Sequence, residues 1–78
     1  MMKELLEAIA RGLVQNPDGV RVEEADPNEE GTIVFTLFVD EEDKGRVIGK
    51  QGRIAKSIRT VMRAAATREN KKVMVEIN

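Results

Sequence analysis

The sequence has no cysteine, no histidine, no tryptophan and no tyrosine, and only two phenylalanines. Each gap removes a class of function. Without cysteine there is no disulfide, no thiolate metal site and no thiol nucleophile. Without histidine, the commonest general acid/base and the commonest metal ligand are missing. Carboxylates are plentiful, but no arrangement gathers two of them into one apolar pocket. The chain is therefore read as a non-enzyme, with no catalytic residue, no metal ligand and no cofactor. No apolar run approaches the roughly 20 residues that a membrane span needs. Acidic side chains interrupt the apolar pattern of the opening MMKELLEAIA, unlike a signal peptide. The expected setting is the cytoplasm, away from any membrane. Low-complexity tracts and internal repeats are also absent. Seventy-eight residues suffice for one core with a thin margin of stability, so residues 1–78 are expected to form a single domain.

A net charge of −1 argues at first against nucleic acid, but the charges are segregated. Residues 23–43 hold nine acidic side chains and no basic one, whereas residues 44–72 hold ten basic side chains against Glu69 alone. A local positive surface attracts phosphate even on a slightly acidic molecule.

Hydrophobic periodicity gives the elements. Residues 2–14 read as an amphipathic helix with Met2, Leu5, Leu6, Ile9 and Leu13 on one face, ended by Asn16-Pro17. Asn16-Pro17-Asp18-Gly19 is a turn, and residues 20–23 alternate as a half-buried strand does. Residues 32–39 give the strongest strand: Ile33, Phe35, Leu37 and Val39 on one face, Val34 and Phe38 on the other. Apolar character on both faces places this strand at the centre of a sheet. The run Asp40-Glu41-Glu42-Asp43 suits the start of a helix, where carboxylates complement the dipole; it lacks the glycine-containing loop of an EF-hand calcium site. A short helix over 41–48, a glycine loop and a second helix over 53–66 follow. On the second helix Ile54, Ile58, Val61, Met62 and Ala65 form an apolar arc, and Lys56, Arg59 and Arg63 a basic one. Residues 67–71 make a polar turn, and 72–78 close the chain as a strand. The expected architecture is α+β in the order α-β-β-α-α-β: a three-stranded mixed sheet with helices on one face and the last strand parallel to the central one.

The stretch KGRVIGKQGRIAKSIRTVMR, residues 44–63, carries seven basic residues and no acidic one. At its centre stands Gly49-Lys50-Gln51-Gly52. Two glycines between helices let a phosphodiester backbone approach the peptide chain closely. The loop N–H groups and the start of the following helix favour negative charge, and Lys50 can reach a phosphate oxygen. A bare G-x-x-G is a weak signal. Here Val47-Ile48 precede it, Ile54 follows it, and a basic helix continues from it.

With those flanks, residues 45–54 resemble the signature of a KH domain, and the element order resembles its type II arrangement. VIGKQGRIAKSIRT, together with the chain length, resembles the KhpA family of small bacterial single-KH proteins. The resemblance implies single-stranded RNA binding, with the loop clamping about four nucleotides. Gly49, Lys50, Gln51 and Gly52 would face the sugar–phosphate backbone, and Val47, Ile48 and Ile54 would floor a groove for bases. Charge and position add Arg46, Arg53 and Lys56, while Arg59 and Arg63 fall with solvated helix surface. The resemblance also implies RNA-chaperone or post-transcriptional regulatory work, a homodimer, a heterodimer with a KhpB-like partner, and a link to cell shape and cell wall organisation. Ser57, Thr60, Val61 and Ala64 offer a small-residue face on which two helices could approach to form the dimer. With both phenylalanines in the central strand, stacking platforms are missing. Affinity is expected to come from phosphate and main-chain contacts and to fall with salt. A protein-interaction adaptor and a single-stranded DNA binder are the alternatives that the residues leave open.

Overall fold

The computed structural model describes residues 2–78, and of Lys50 and Gln51 the main chain only. Helix α1 spans Met2–Leu13. A 3-10 turn at Pro17–Gly19 leads into strand β1, Arg21–Glu24, and then β2, Thr32–Phe38. Helix α2 runs Glu41–Arg68, and β3 is Lys72–Ile77. The sheet order is β1-β2-β3. β2 is central, antiparallel to β1 with Val22 opposite Leu37, and parallel to β3 with Phe35 opposite Val75. The fold is thus the α+β arrangement expected, with a mixed sheet and the last strand returning in parallel.

The two consecutive helices are joined differently from expectation. Hydrogen bonding carries α2 through the glycine segment for 28 residues, so no separate loop divides 41–48 from 53–66. A straight helix of that length would measure about 42 Å, more than the molecule's longest extent of 34 Å. The segment must bend, and Gly52 marks the place: its φ of +70° lies in the left-handed region that only glycine enters freely. The six-element order survives as two helical arms meeting at one left-handed residue.

Both helices lie on one face of the sheet, and the core forms between them. Phe35, Leu37, Val22 and Val75 come from the sheet, Leu6 and Ala10 from α1, and Ile58, Met62 and Ala66 from α2. A fully buried side chain such as Leu6 contributes roughly 1.5–3 kcal/mol over leaving it exposed. The buried stripes differ in phase from the sequence expectation. In α1 it is Met2, Leu6 and Ala10 that are buried, while Leu5 and Leu13 stay largely exposed. In α2 the buried line is Ala55, Ile58, Met62 and Ala66, and Val61 remains 44% exposed. Alanines are thus buried on both helices while bulkier neighbours such as Leu5 and Val61 are not.

Helix α2 ends at Arg68, just past the expected end at 66, and its turn falls within the expected 67–71. Asn70 adopts φ 59°, its N–H donates to the Thr67 carbonyl, and the Lys71 N–H donates to that of Ala66. This pair of bonds is a Schellman motif with asparagine in the left-handed position. At the other end Asp40 caps the helix by accepting from the Glu42 N–H at 3.1 Å, an interaction whose loss costs about 1 kcal/mol. Gly19 permits that junction, because a Cβ there would meet the Asp40 Cβ at 3.0 Å.

Candidate nucleic-acid interface

Asp43 fixes the first arm of α2 against α1. Among the described residues it is the one charged side chain that is buried, at 1% exposure. Its carboxylate accepts from the main-chain N–H groups of Gln15 and Asn16, each at 3.0 Å, and from the Asn16 side chain at 3.2 Å. Those donors follow the last turn of α1, so one side chain ties the end of α1 to the start of α2. The Gln15 N–H foremost, then the Asn16 groups and the nearby Arg46 charge, hold the Asp43 carboxyl below the ordinary aspartate range, against burial, which pushes it up. The acidic run therefore divides its labour: Asp40 caps, Asp43 clamps, and Glu41 pairs with Lys44 at 3.4 Å on the surface. Sequence reasoning assigned the run to the helix dipole and missed the clamp.

From this anchored arm, α2 presents a cleft of about 500 Å³ lined by Gly45, Arg46, Gly49, Arg53 and Ile54. Its composition is glycine on the helix face, guanidinium at the edges and one half-buried isoleucine. Gly45 and Gly49 sit one helical turn apart on the same face. At neither would a Cβ meet another atom within 4 Å, so the cleft stays open for want of side chains. Arg46 is steered by Gln15: with the Gln15 amide oxygen turned toward it, the guanidinium nitrogens donate at 3.0 and 3.3 Å. Neither Arg46 nor Arg53 forms a salt bridge among the described residues. The two guanidinium groups suit an anionic ligand.

The structure thus brings together Arg46, Gly49, Arg53 and Ile54 from the sequence-predicted set, with Gly52 and its left-handed turn beside them. Others fall elsewhere. Val47 is fully buried and cannot floor an open groove, because the Asp43 clamp turns that face of the helix inward. Ile48 is 50% exposed but does not line the cleft, and exposed Lys56 is likewise outside it. The Lys50 and Gln51 side chains lie outside the described residues. Arg59, read as solvated, donates from Nε to the Val75 carbonyl on edge strand β3 at 3.1 Å, a structural use. A smaller cavity of about 150 Å³ lies there, between Arg59, Arg63 and residues 73–75. Gly45 also lines the cleft and was not among the expected site residues; its i, i+4 spacing to Gly49 was the available signal.

An α-β-β-α-α-β fold whose paired helical arms meet at a G-x-x-G segment beside a basic cleft is a type II KH domain. The family comparison narrows this: residues 3–77 match the model of the KhpA/KhpB KH domain, and the chain belongs to that family. It is 59% identical over 76 residues to the RNA-binding protein KhpA of Clostridium perfringens, covering 97% of this chain and 99% of that one. It is 45% identical over 76 residues to the RNA-binding protein KhpA of Aquifex aeolicus, covering 97% and 94%. Among solved structures, Era in complex with MgGDPNP and a segment of 16S ribosomal RNA matches in fold, with a TM-score of 0.68, 23% identity, and coverage of 97% of this chain and 28% of that chain.

Proposed function

We propose that this chain is a non-catalytic single-stranded RNA-binding protein that grips the sugar–phosphate backbone with residues 49–52 and the cleft beside them. The observation that carries the reading is the cleft itself. It pairs two side-chain-free helix positions with two guanidinium groups that form no salt bridge among the described residues. A phosphodiester chain can lie against the helix surface there while both arginines reach its oxygens. Family membership supports the same ligand, since the relatives are RNA-binding proteins by name. In this reading the protein works in the cytoplasm as an RNA chaperone or post-transcriptional regulator, alone as a homodimer or with a KhpB-like partner, in the control of cell shape and cell wall organisation. The exposed row Ser57, Thr60, Val61 and Ala64 supports self-association, because a 44%-exposed valine among small residues offers an apolar surface for close helix approach. Two copies would bring two clefts to one RNA and raise avidity.

The test is a titration of a short single-stranded RNA and its DNA counterpart at low and high salt. Wild type is compared with the double variant Lys50→Asp and Gln51→Asp, which keeps both glycines. Sharp loss of RNA binding in the variant, with salt-weakened binding in the wild type, upholds the reading. Unchanged binding by the variant would remove the glycine segment as the site and favour a protein-interaction adaptor. Equal binding of the DNA strand would widen the ligand to single strands in general.

A further inference from the structure

We infer that Gln15 is a positioning residue: it keeps Arg46 off Glu42, a carboxylate one turn earlier on the same helix, and so leaves the Arg46 charge free for a phosphate. The inference rests on the reading of the cleft as an RNA site. It starts from the one member of the acidic run that the fold leaves unused. Asp40 caps α2, Asp43 clamps α1 and Glu41 pairs with Lys44. The Glu42 side chain is exposed and forms no salt bridge among the described residues.

Glu42 stands four residues before Arg46, and side chains at that spacing are neighbours on a helix. A glutamate N-terminal to the cation is the favourable order. Left to the helix alone, Arg46 would pair with Glu42, and a paired arginine meets a phosphate only after giving up its carboxylate. In the structure the two do not pair. With the Gln15 amide oxygen turned toward it, the guanidinium donates there instead, at 3.0 and 3.3 Å. The main-chain N–H of Gln15 is itself bonded to Asp43 at 3.0 Å, so the amide reaches Arg46 from an anchored point. Asp43 also lies near the Arg46 charge, but it is buried and its oxygens already accept three hydrogen bonds. Glu42 is the carboxylate left to take the arginine. A neutral partner suits this position: glutamine holds the guanidinium by hydrogen bonds and leaves its charge in place, whereas a carboxylate would offset it.

The strength of such pairs sets the size of the effect. An exposed pair at this spacing favours contact by about twofold. Without Gln15, about a third of the molecules would keep Arg46 free, and RNA affinity should fall about threefold. The experiment titrates a short fluorescent single-stranded RNA at low and high salt, with melting temperature followed by circular dichroism. It compares wild type with Gln15→Ala, Glu42→Gln, the double variant of these two, and Arg46→Gln. Gln15→Ala keeps the main-chain bond to Asp43 and should melt as wild type. It should bind about threefold more weakly at low salt, with the deficit shrinking at high salt, where an exposed ion pair is screened. In the Glu42→Gln background the same change should leave affinity unaltered, a coupling that loss of Gln15 as mere scaffold would not produce. Equal deficits in both backgrounds, or no deficit in Gln15→Ala while Arg46→Gln binds more weakly, overturn the role of Gln15 and leave the cleft reading standing. Wild-type affinity in Arg46→Gln overturns the cleft reading and this inference with it.

Discussion

Replacing Arg53 by glutamine should change the salt dependence of RNA binding by a set amount. The cleft contributes Arg46 and Arg53, and the G-x-x-G segment adds Lys50, giving three cations for phosphate contact. On a single strand each contact releases counterions and contributes roughly −0.7 to the slope of log affinity against log salt, so the wild type should show a slope of about −2. Between about 50 and about 200 mM salt its affinity should then fall ~18-fold. Arg53→Gln leaves two contacts, a slope of about −1.4 and a fall of only about sevenfold over the same range. The substitution is exposed and breaks no salt bridge among the described residues, so the fold should persist. Lys56→Gln removes the same charge from a residue outside the cleft and should leave the slope near that of wild type. The assay is fluorescence anisotropy across a salt series. A slope unaltered by Arg53→Gln, or altered equally by Lys56→Gln, would refute the assignment of phosphate contacts to the cleft and return the affinity to a diffuse basic surface.

Two further outcomes are expected. Asp43 has its carboxyl lowered in the folded state by the N–H groups it binds, so its contribution is fully present above the unfolded aspartate pKa of about 4 and is lost as pH falls from there through the lower folded value. Asp43→Asn, which keeps the shape but replaces one of the two accepting oxygens with an amide donor facing an N–H group, should lower the melting temperature at neutral pH and flatten its decline below about pH 4; an acid decline as steep as wild type's would show that other carboxylates set it. Val61→Asp should leave the melting temperature within about a few degrees of wild type, because the side chain is 44% exposed. If Val61 lies in a dimer contact, the variant should sediment as a monomer under conditions where wild type sediments as a dimer, and an unchanged dimer would discard that face.

Where the sequence could be read well, local rules and tertiary packing asked for the same thing. Residues 32–39 alternate on two apolar faces, and a strand of that kind has to be flanked on both sides; β2 is central. Where it was misread, hydropathy alone chose the wrong neighbour. Val61 outranks Ala55 and Ala66 on any hydrophobic scale, yet the alanines are buried, because a helix pressed closely on a sheet favours small side chains at its nearest points. The same competition left Leu5 outside and Ala10 inside. The phase of α2 after Gly52 depends on one left-handed residue, which no periodicity encodes. The site divided along the same line. Charge and motif named Arg46, Gly49, Arg53 and Ile54, which meet at the cleft. Val47 belongs to the same motif but faces inward, and the cause lies in the Asn16 and Gln15 N–H groups that draw in Asp43, 27 and 28 residues further along the chain from them.

The two phenylalanines determine what kind of binding such a cleft can deliver. Phe35 is 1% exposed in the core. Phe38 is half-buried on the opposite face of the sheet, where the Arg21 guanidinium lies 4.3 Å from its ring centroid. Neither ring lines the cleft, so base stacking, worth ~1–3 kcal/mol per base in proteins that use it, is not offered by these residues there. What remains is phosphate contact, van der Waals contact with the bare helix strip, and the apolar edge of Ile54. Those interactions discriminate little between bases and depend strongly on salt. The overall charge of −1 does not oppose them at a distance. At physiological ionic strength fields decay over about 8 Å, well within the 34 Å length of the molecule, so a phosphate in the cleft responds mainly to the arginines beside it. A single copy should therefore bind weakly and broadly, with little discrimination by any one base.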